Sequence, residues 1–173
     1  GEAVISTATD VEGLPAIDSL ALESGLVIAD AGRVKAVNAA FLRGERVSLS
    51  DPEQRLDLQG FDDFFSAAAS PSNADVRVSW RAVEPEDGRL ILHPPVLFAG
   101  VGCRKNTDVE EILSAISDVF AQNGLALPSL AGIASADIKA REQGLIDAAR
   151  GLGVPFSVYG ADRLGASTGP SFS

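Results

Sequence analysis

Residues 96–110 read Val-Leu-Phe-Ala-Gly-Val-Gly-Cys-Arg-Lys-Asn-Thr-Asp-Val-Glu. From Val96 to Gly102 the run is apolar throughout, the pattern of a strand buried on both faces. Cys103 to Asn106 form a short polar loop. Thr107-Asp108-Val109-Glu110 then matches a capping box, in which threonine and glutamate satisfy free amides at a helix start. Val109, Ile112, Leu113, Ile116, Val119 and Phe120 recur at helical spacing, and Asn123-Gly124 stops the helix. A strand, a tight turn and a capped helix in this order predict an α/β unit.

The reading extends toward both ends. Leu130–Ala134 and Val154–Tyr159 are further strands, and between them Leu145, Ile146, Ala149 and Leu152 mark a second helix. The Ser- and Gly-rich end from Gly165 reads as frayed. On the N-terminal side Val4-Ile5, Leu26–Ile28 and Val47–Leu49 are short strands. Pro15, Ile17, Leu20 and Ala21 lie on one helical face ended by Gly25; Val34, Val37, Ala40 and Phe41 form another, ended near Gly44. The middle opens polar at Asp51-Pro52-Glu53-Gln54-Arg55. Phe61, Phe64, Phe65 and Ala68 suggest one or two helical turns, and 66–73 reads as linker. Val76–Trp80 and Leu90–Leu92 around Asp87-Gly88 predict a β-hairpin. The expected fold class is α/β. Two small α/β units, 1–50 and 96–173, are joined by a variable middle region, 51–95, that carries the hairpin.

Composition narrows the function. Of 173 residues, 46% are hydrophobic, enough for a packed core, and the net charge is −10. That balance argues against nucleic-acid and anionic-membrane binding. One cysteine and one histidine exclude an intrachain disulfide and a His- or Cys-rich metal site, so no metal ligands are expected. The longest uncharged stretch, Val119 to Ala136, is broken by Gln122, Asn123, Gly124, Pro128 and Ser129, so no membrane span is expected and a cytoplasmic location is the default. The lack of methionine reads as an interior piece of a longer protein.

Three segments carry candidate chemistry. In Gly100-Val101-Gly102-Cys103-Arg104-Lys105, glycines let backbone amides approach an anion, and the helix start at Thr107 adds positive charge. Two cations there favour an anion site; a plain tight βα turn is the simpler alternative. Asp137, Lys139 and Glu142 follow a buried strand, where open α/β sheets place their ligands. Asp137 is the first candidate to position a hydrolytic water, with Lys139 steadying the ligand and Glu142 in support; an aspartate cap and a solvated ion pair is the alternative. Thr7, Thr9 and Asp10 follow the first strand, with Asp10 the second catalytic candidate and local turn capping the alternative. Cys103 with His93 forms a nucleophile–base pair only if the fold brings them together; an inert thiol is the simpler reading. Trp80 reads as a packing residue.

Gly100–Glu111, Ile133–Leu145 and Ser6–Leu26, with Val37–Glu45, together resemble the CbiG family, the cobalt-precorrin-5A hydrolases of cobalamin biosynthesis. The C-terminal part is also similar to CobE. The resemblance implies that 1–50 is the end of the family's N-terminal α/β domain and 96–173 its C-terminal domain. It implies opening of a δ-lactone on a corrinoid precursor with release of acetaldehyde. A non-catalytic module that holds or passes on a tetrapyrrole intermediate is the alternative, and a generic small-anion domain a third. The implied partners are the cobalt-precorrin and other cobalamin-pathway enzymes; cobalt arrives inside the substrate, so no cofactor is expected. The family's glycine-rich beginning and its strand after about Gly165 are not seen, and Arg141 stands where the family often has an acidic residue. If those ends complete the active site, the isolated chain is expected to be inactive alone. The resemblance assigns no catalytic residue. From the residues themselves, Gly100, Gly102, Cys103, Arg104, Lys105, Thr107, Lys139, Thr7 and Thr9 are the expected substrate contacts.

Overall fold

The computed structural model describes residues 13–83, 89–160 and 162. The chain divides into two compact units, Gly1–Pro95 and Val96–Ser173. Thr7, Thr9, Asp10 and the strand expected at Val4-Ile5 lie outside the described residues, as does the turn Asp87-Gly88.

In the first unit, helices α1 (Ile17–Glu23) and α2 (Ala31–Leu42) and strands β1 (Val27–Ile28) and β2 (Val47–Ser50) fall where periodicity placed them. Gly25 (φ +68°) and Gly44 (φ +71°) end the helices in the left-handed region that glycine enters without steric cost. Ala16 cannot cap α1, so Asn38 of α2 does: its Oδ1 accepts from Ile17 N at 2.9 Å. Residues 51–95 add β3 (Phe65–Ala67), β4 (Val76–Val78) and β5 (Leu90–His93) to the same sheet, in the order β1-β5-β4-β2-β3. A boundary at residue 50 therefore does not divide this unit. Its core joins Ile17, Leu20 and Phe41 of the helices to Val47, Val76, Leu90 and Leu92 of the strands.

The expected hairpin is not formed. β4 and β5 pair in parallel, with Val76 opposite Leu90 and Val78 opposite Leu92. Alternation shows which residues face the core, and it carries no sign for strand direction. The phenylalanine segment is likewise a 3-10 turn at Asp62–Phe64 followed by β3, and the expected linker holds β3 and a second turn at Pro71–Asn73. Phe41 packs edge-on against Phe64 and Phe65, with ring centroids 6.0 and 5.4 Å away.

The second unit is a parallel sheet β6-β7-β8, formed by Leu97–Gly100, Leu130–Ala136 and Phe156–Tyr159, with α3 (Val109–Gln122) and α4 (Gln143–Gly151) between successive strands. The helices place Ile112, Ile116, Phe120 and Leu145 on Leu130 and Ile133. Two details correct the sequence reading. β6 is an edge strand, not one buried on both faces: Phe98 is 64% exposed, and the central strand is β7. The helix cap is Asp108, whose side chain accepts from Glu110 N at 2.9 Å; Thr107 Oγ1 instead donates to the Arg104 carbonyl at 3.0 Å. Aspartate one residue nearer the helix is the better acceptor for those amides. Among the described residues no helix is long and apolar enough to cross a membrane.

Candidate functional site at the carboxyl ends of the second sheet

All three strands of the second sheet run the same way, so the loops after β6, β7 and β8 gather at one edge, the usual ligand-binding edge of a parallel α/β sheet. Gly100 ends β6. The loop beyond it carries Gly102, Arg104 and Lys105 exposed, and Cys103 and Thr107 half-buried. Ser135, buried on β7, anchors this loop by donating its hydroxyl to the Val101 carbonyl at 2.7 Å.

The segment after β7 turns through a 3-10 turn, Asp137–Lys139, before α4 begins. This turn sends Glu142 back to the first loop. Its Oε1 accepts from Asn106 N at 2.6 Å, and its Oε2 lies 3.3 Å from Lys139 Nζ. The side chain of Glu142 is 9% exposed and that of Lys139 18%. Asn106 reaches this geometry at φ +60°, a left-handed conformation that asparagine tolerates better than most residues. Gly144 completes the join, because a Cβ there would fall well inside contact distance of the Thr107 carbonyl oxygen.

The expected residues thus separate into two groups. The structure joins Lys139 and Glu142 to the loop of Gly100, Gly102, Cys103, Arg104, Lys105 and Thr107. One amide expected to meet a ligand, that of Asn106, already serves the protein's own glutamate. Asp137 is exposed and stands at the end of β8, where a Cβ on Gly160 would lie 3.6 Å from its Oδ2. A cleft of about 460 Å³ opens beside the loop, lined by Gly102, Cys103, Arg104, Thr107 and Glu111 among others. Glu111 was missed in the sequence. Its signal was present, since Ile112 and Ile116 fix the buried face of α3 and leave Glu111 on the other side. His93 belongs to the first unit, where its Nδ1 donates to the Ser79 carbonyl at 2.6 Å. Among the described residues no cluster of three or more His, Cys, Asp or Glu side chains could hold a metal ion.

The fold and these loops define an α/β protein with a crevice beside its strand ends. Family models described as the cobalamin biosynthesis central region and the cobalamin synthesis G C-terminus match residues 15–94 and 97–173. The chain belongs to the CbiG family of cobalamin biosynthesis. It is similar to cobalt-precorrin-5A hydrolases of Salmonella typhimurium, 30% identical over 93% of this chain and 49% of the relative, and of Priestia megaterium, 23% identical over 93% and 47%. Protein CobE of a Sinorhizobium species is 34% identical over 40% of this chain and 46% of the relative. The chain therefore spans about half the length of these curated relatives. A solved cobalamin biosynthesis protein G homolog from Sulfolobus solfataricus aligns with TM-score 0.38 and 20% identity, over 90% of this chain and 46% of that one.

Proposed function

We propose that the chain carries part of a cobalt-precorrin-5A hydrolase and that the carboxyl edge of its second sheet contacts the substrate. The observation that carries this reading is the union of two separated segments, Gly100–Thr107 and Asp137–Glu142, through Glu142, Lys139 and the Asn106 amide. A turn held in this way keeps Arg104 at the mouth of the cleft without spending its charge, because among the described residues Arg104 makes no ion pair.

In the reaction, water adds to the lactone carbonyl and the ring C–O bond breaks, giving a carboxylate and a hydroxyl. Loss of the hydroxyl proton then lets the adjacent C–C bond break, releasing acetaldehyde and leaving the electron pair on the macrocycle. Asp137 takes the role of positioning the water, because it is an exposed carboxylate that directly follows β7 and no other side chain holds it among the described residues. Arg104 and Lys105 meet peripheral carboxylates, and Glu142 and Lys139 position the loop. No metal ligand or cofactor is required of the protein, since the cobalt is part of the substrate.

The test is incubation with lactone-bearing cobalt-precorrin-5A and assay of acetaldehyde. Asp137→Asn is expected to slow release by about 100-fold, the lower range for a lost acid–base group. Arg104→Ala is expected to weaken binding about ten-fold, as for one charge-assisted contact. Normal acetaldehyde release by Asp137→Asn removes that residue from the chemistry. The similarity to CobE over the C-terminal part supports a second reading, a module that holds the intermediate. Tight binding by the wild type with no acetaldehyde favours it.

A further inference from the structure

The first unit has its own ligand-binding geometry, and it does not depend on the reaction proposed above. β2 and β4 are neighbours in the sheet and parallel. The chain leaves β2 toward β3 on one side and leaves β4 toward β5 on the other. Adjacent parallel strands whose connections depart in opposite directions form a topological switch point. The crevice beyond their carboxyl ends is where open α/β sheets take ligands.

A cavity of about 180 Å³ lies there. Ser50 and Asp51 line it from the end of β2, and Ser79, Trp80 and Arg81 from the end of β4. It is smaller than the roughly 300 Å³ at which pockets take a whole drug-sized ligand, so it suits one end of a molecule. Its charge is unusual for a chain of net −10, because Arg55, Arg77 and Arg81 all line it. The carboxylates facing them are Glu53 and Asp51. Glu53 is committed: its Oε2 pairs with Arg55 at 3.0 Å, and its Oε1 accepts from Trp80 Nε1 at 3.0 Å. Asp51 Oδ2 accepts from Leu56 N at 2.8 Å, while its Oδ1 is shut from solvent with no hydrogen-bond partner.

Two guanidinium groups remain for a ligand. Arg81 lies over the Trp80 ring, 4.4 Å from its centroid, and Arg77 is half-buried with no ion pair among the described residues. Planar guanidinium forks beside an indole face suit a planar or tetrahedral oxyanion.

We infer that this crevice binds a small oxyanion, a carboxylate or a phosphate. Arg77 and Arg81 hold the oxyanion against Trp80.

Trp80 is the chain's one tryptophan, so its emission reports on this crevice alone. The protein is titrated with tricarballylate, with inorganic phosphate and with chloride at matched ionic strength. A saturable change in Trp80 emission is expected with one of the two oxyanions and not with chloride. Response to tricarballylate alone assigns a carboxylate, and to phosphate alone a phosphate. Arg77→Gln is expected to weaken the response about ten-fold or more. Arg81→Gln, at an exposed position that tolerates the change, is expected to do the same. Responses no larger than the chloride control, or unchanged affinity in both variants, overturn the inference.

Discussion

Glu142 and Asp51 both follow a parallel strand and both sit among cations, yet they are finished differently. Glu142 spends one oxygen on Asn106 N and the other on Lys139. Asp51 spends one oxygen on Leu56 N and leaves the other buried and bare. A carboxylate satisfied from within acts as a brace, and the loop it braces is free to present other groups. A carboxylate left incomplete holds its loop through one oxygen only. Within the second unit the braced loop offers Arg104 to a cleft; within the first, the incomplete aspartate shares a cavity with Arg77, which makes no ion pair among the described residues.

The sharpest way to break this comparison is Glu142→Ala. It takes a nearly buried carboxylate away from Lys139 and from the Asn106 amide, at an expected cost of about 2–3 kcal/mol for a lost charge-assisted bond. A fall in the denaturant midpoint of the second unit's transition measures it. A change below about 0.5 kcal/mol, the range of neutral surface substitutions, means that Glu142 is not a brace. Gly144→Ala tests the same join from the steric side. Its methyl group meets the Thr107 carbonyl oxygen, and overpacking of this kind costs about 1–3 kcal/mol. Because the backbone has to yield, the variant is also expected to shift the amide resonances of 104–107.

Asp51→Ala sharpens the comparison from the other side. It removes one acceptor for Leu56 N but also removes a bare buried oxygen, so the net cost is expected to be about 0–1 kcal/mol, well below that of Glu142→Ala. Equal losses for the two alanine variants show that Asp51 is satisfied in solution.

How much of this was legible in the sequence follows from the physics of each signal. The helices were, because Ile112, Ile116 and Phe120 repeat at a period no strand shares. Strand positions were too, except β3, where Phe61, Phe64 and Phe65 imitate a helical stripe; the direction of β5 was not, since the apolar run Leu90-Ile91-Leu92 reads the same whether it runs with β4 or against it. The edge position of β6 was hidden for a related reason, since an apolar run does not say which neighbours the strand has. At the second sheet's edge, segment positions were readable and pairings were not. Asp137-Ile138-Lys139 suggested a carboxylate with its own cation, yet Lys139 turns to Glu142. The crevice of the first unit was illegible, because Asp51, Arg77 and Trp80 look like loop polarity and core until parallel pairing brings the ends of β2 and β4 together.

The smallest expected effect concerns Glu53, the carboxylate that keeps the first crevice in shape. The Trp80 indole N–H, with Arg55 beside it, holds the Glu53 carboxyl below the usual glutamate range. A carboxylate whose native pKa is depressed contributes stability that is present above its unfolded pKa and lost as pH falls through the native one. On acidification Trp80 should therefore keep its emission through the ordinary glutamate range and change only below it, when Glu53 takes up a proton and releases the indole. Glu53 is exposed, so the accompanying loss of stability is slight and the emission is the better measure. Glu53→Gln removes the titrating charge and is expected to abolish that acid transition while leaving the indole an acceptor. A transition that persists in Glu53→Gln shows that the indole does not report on Glu53 and removes that carboxylate from the shaping of the crevice.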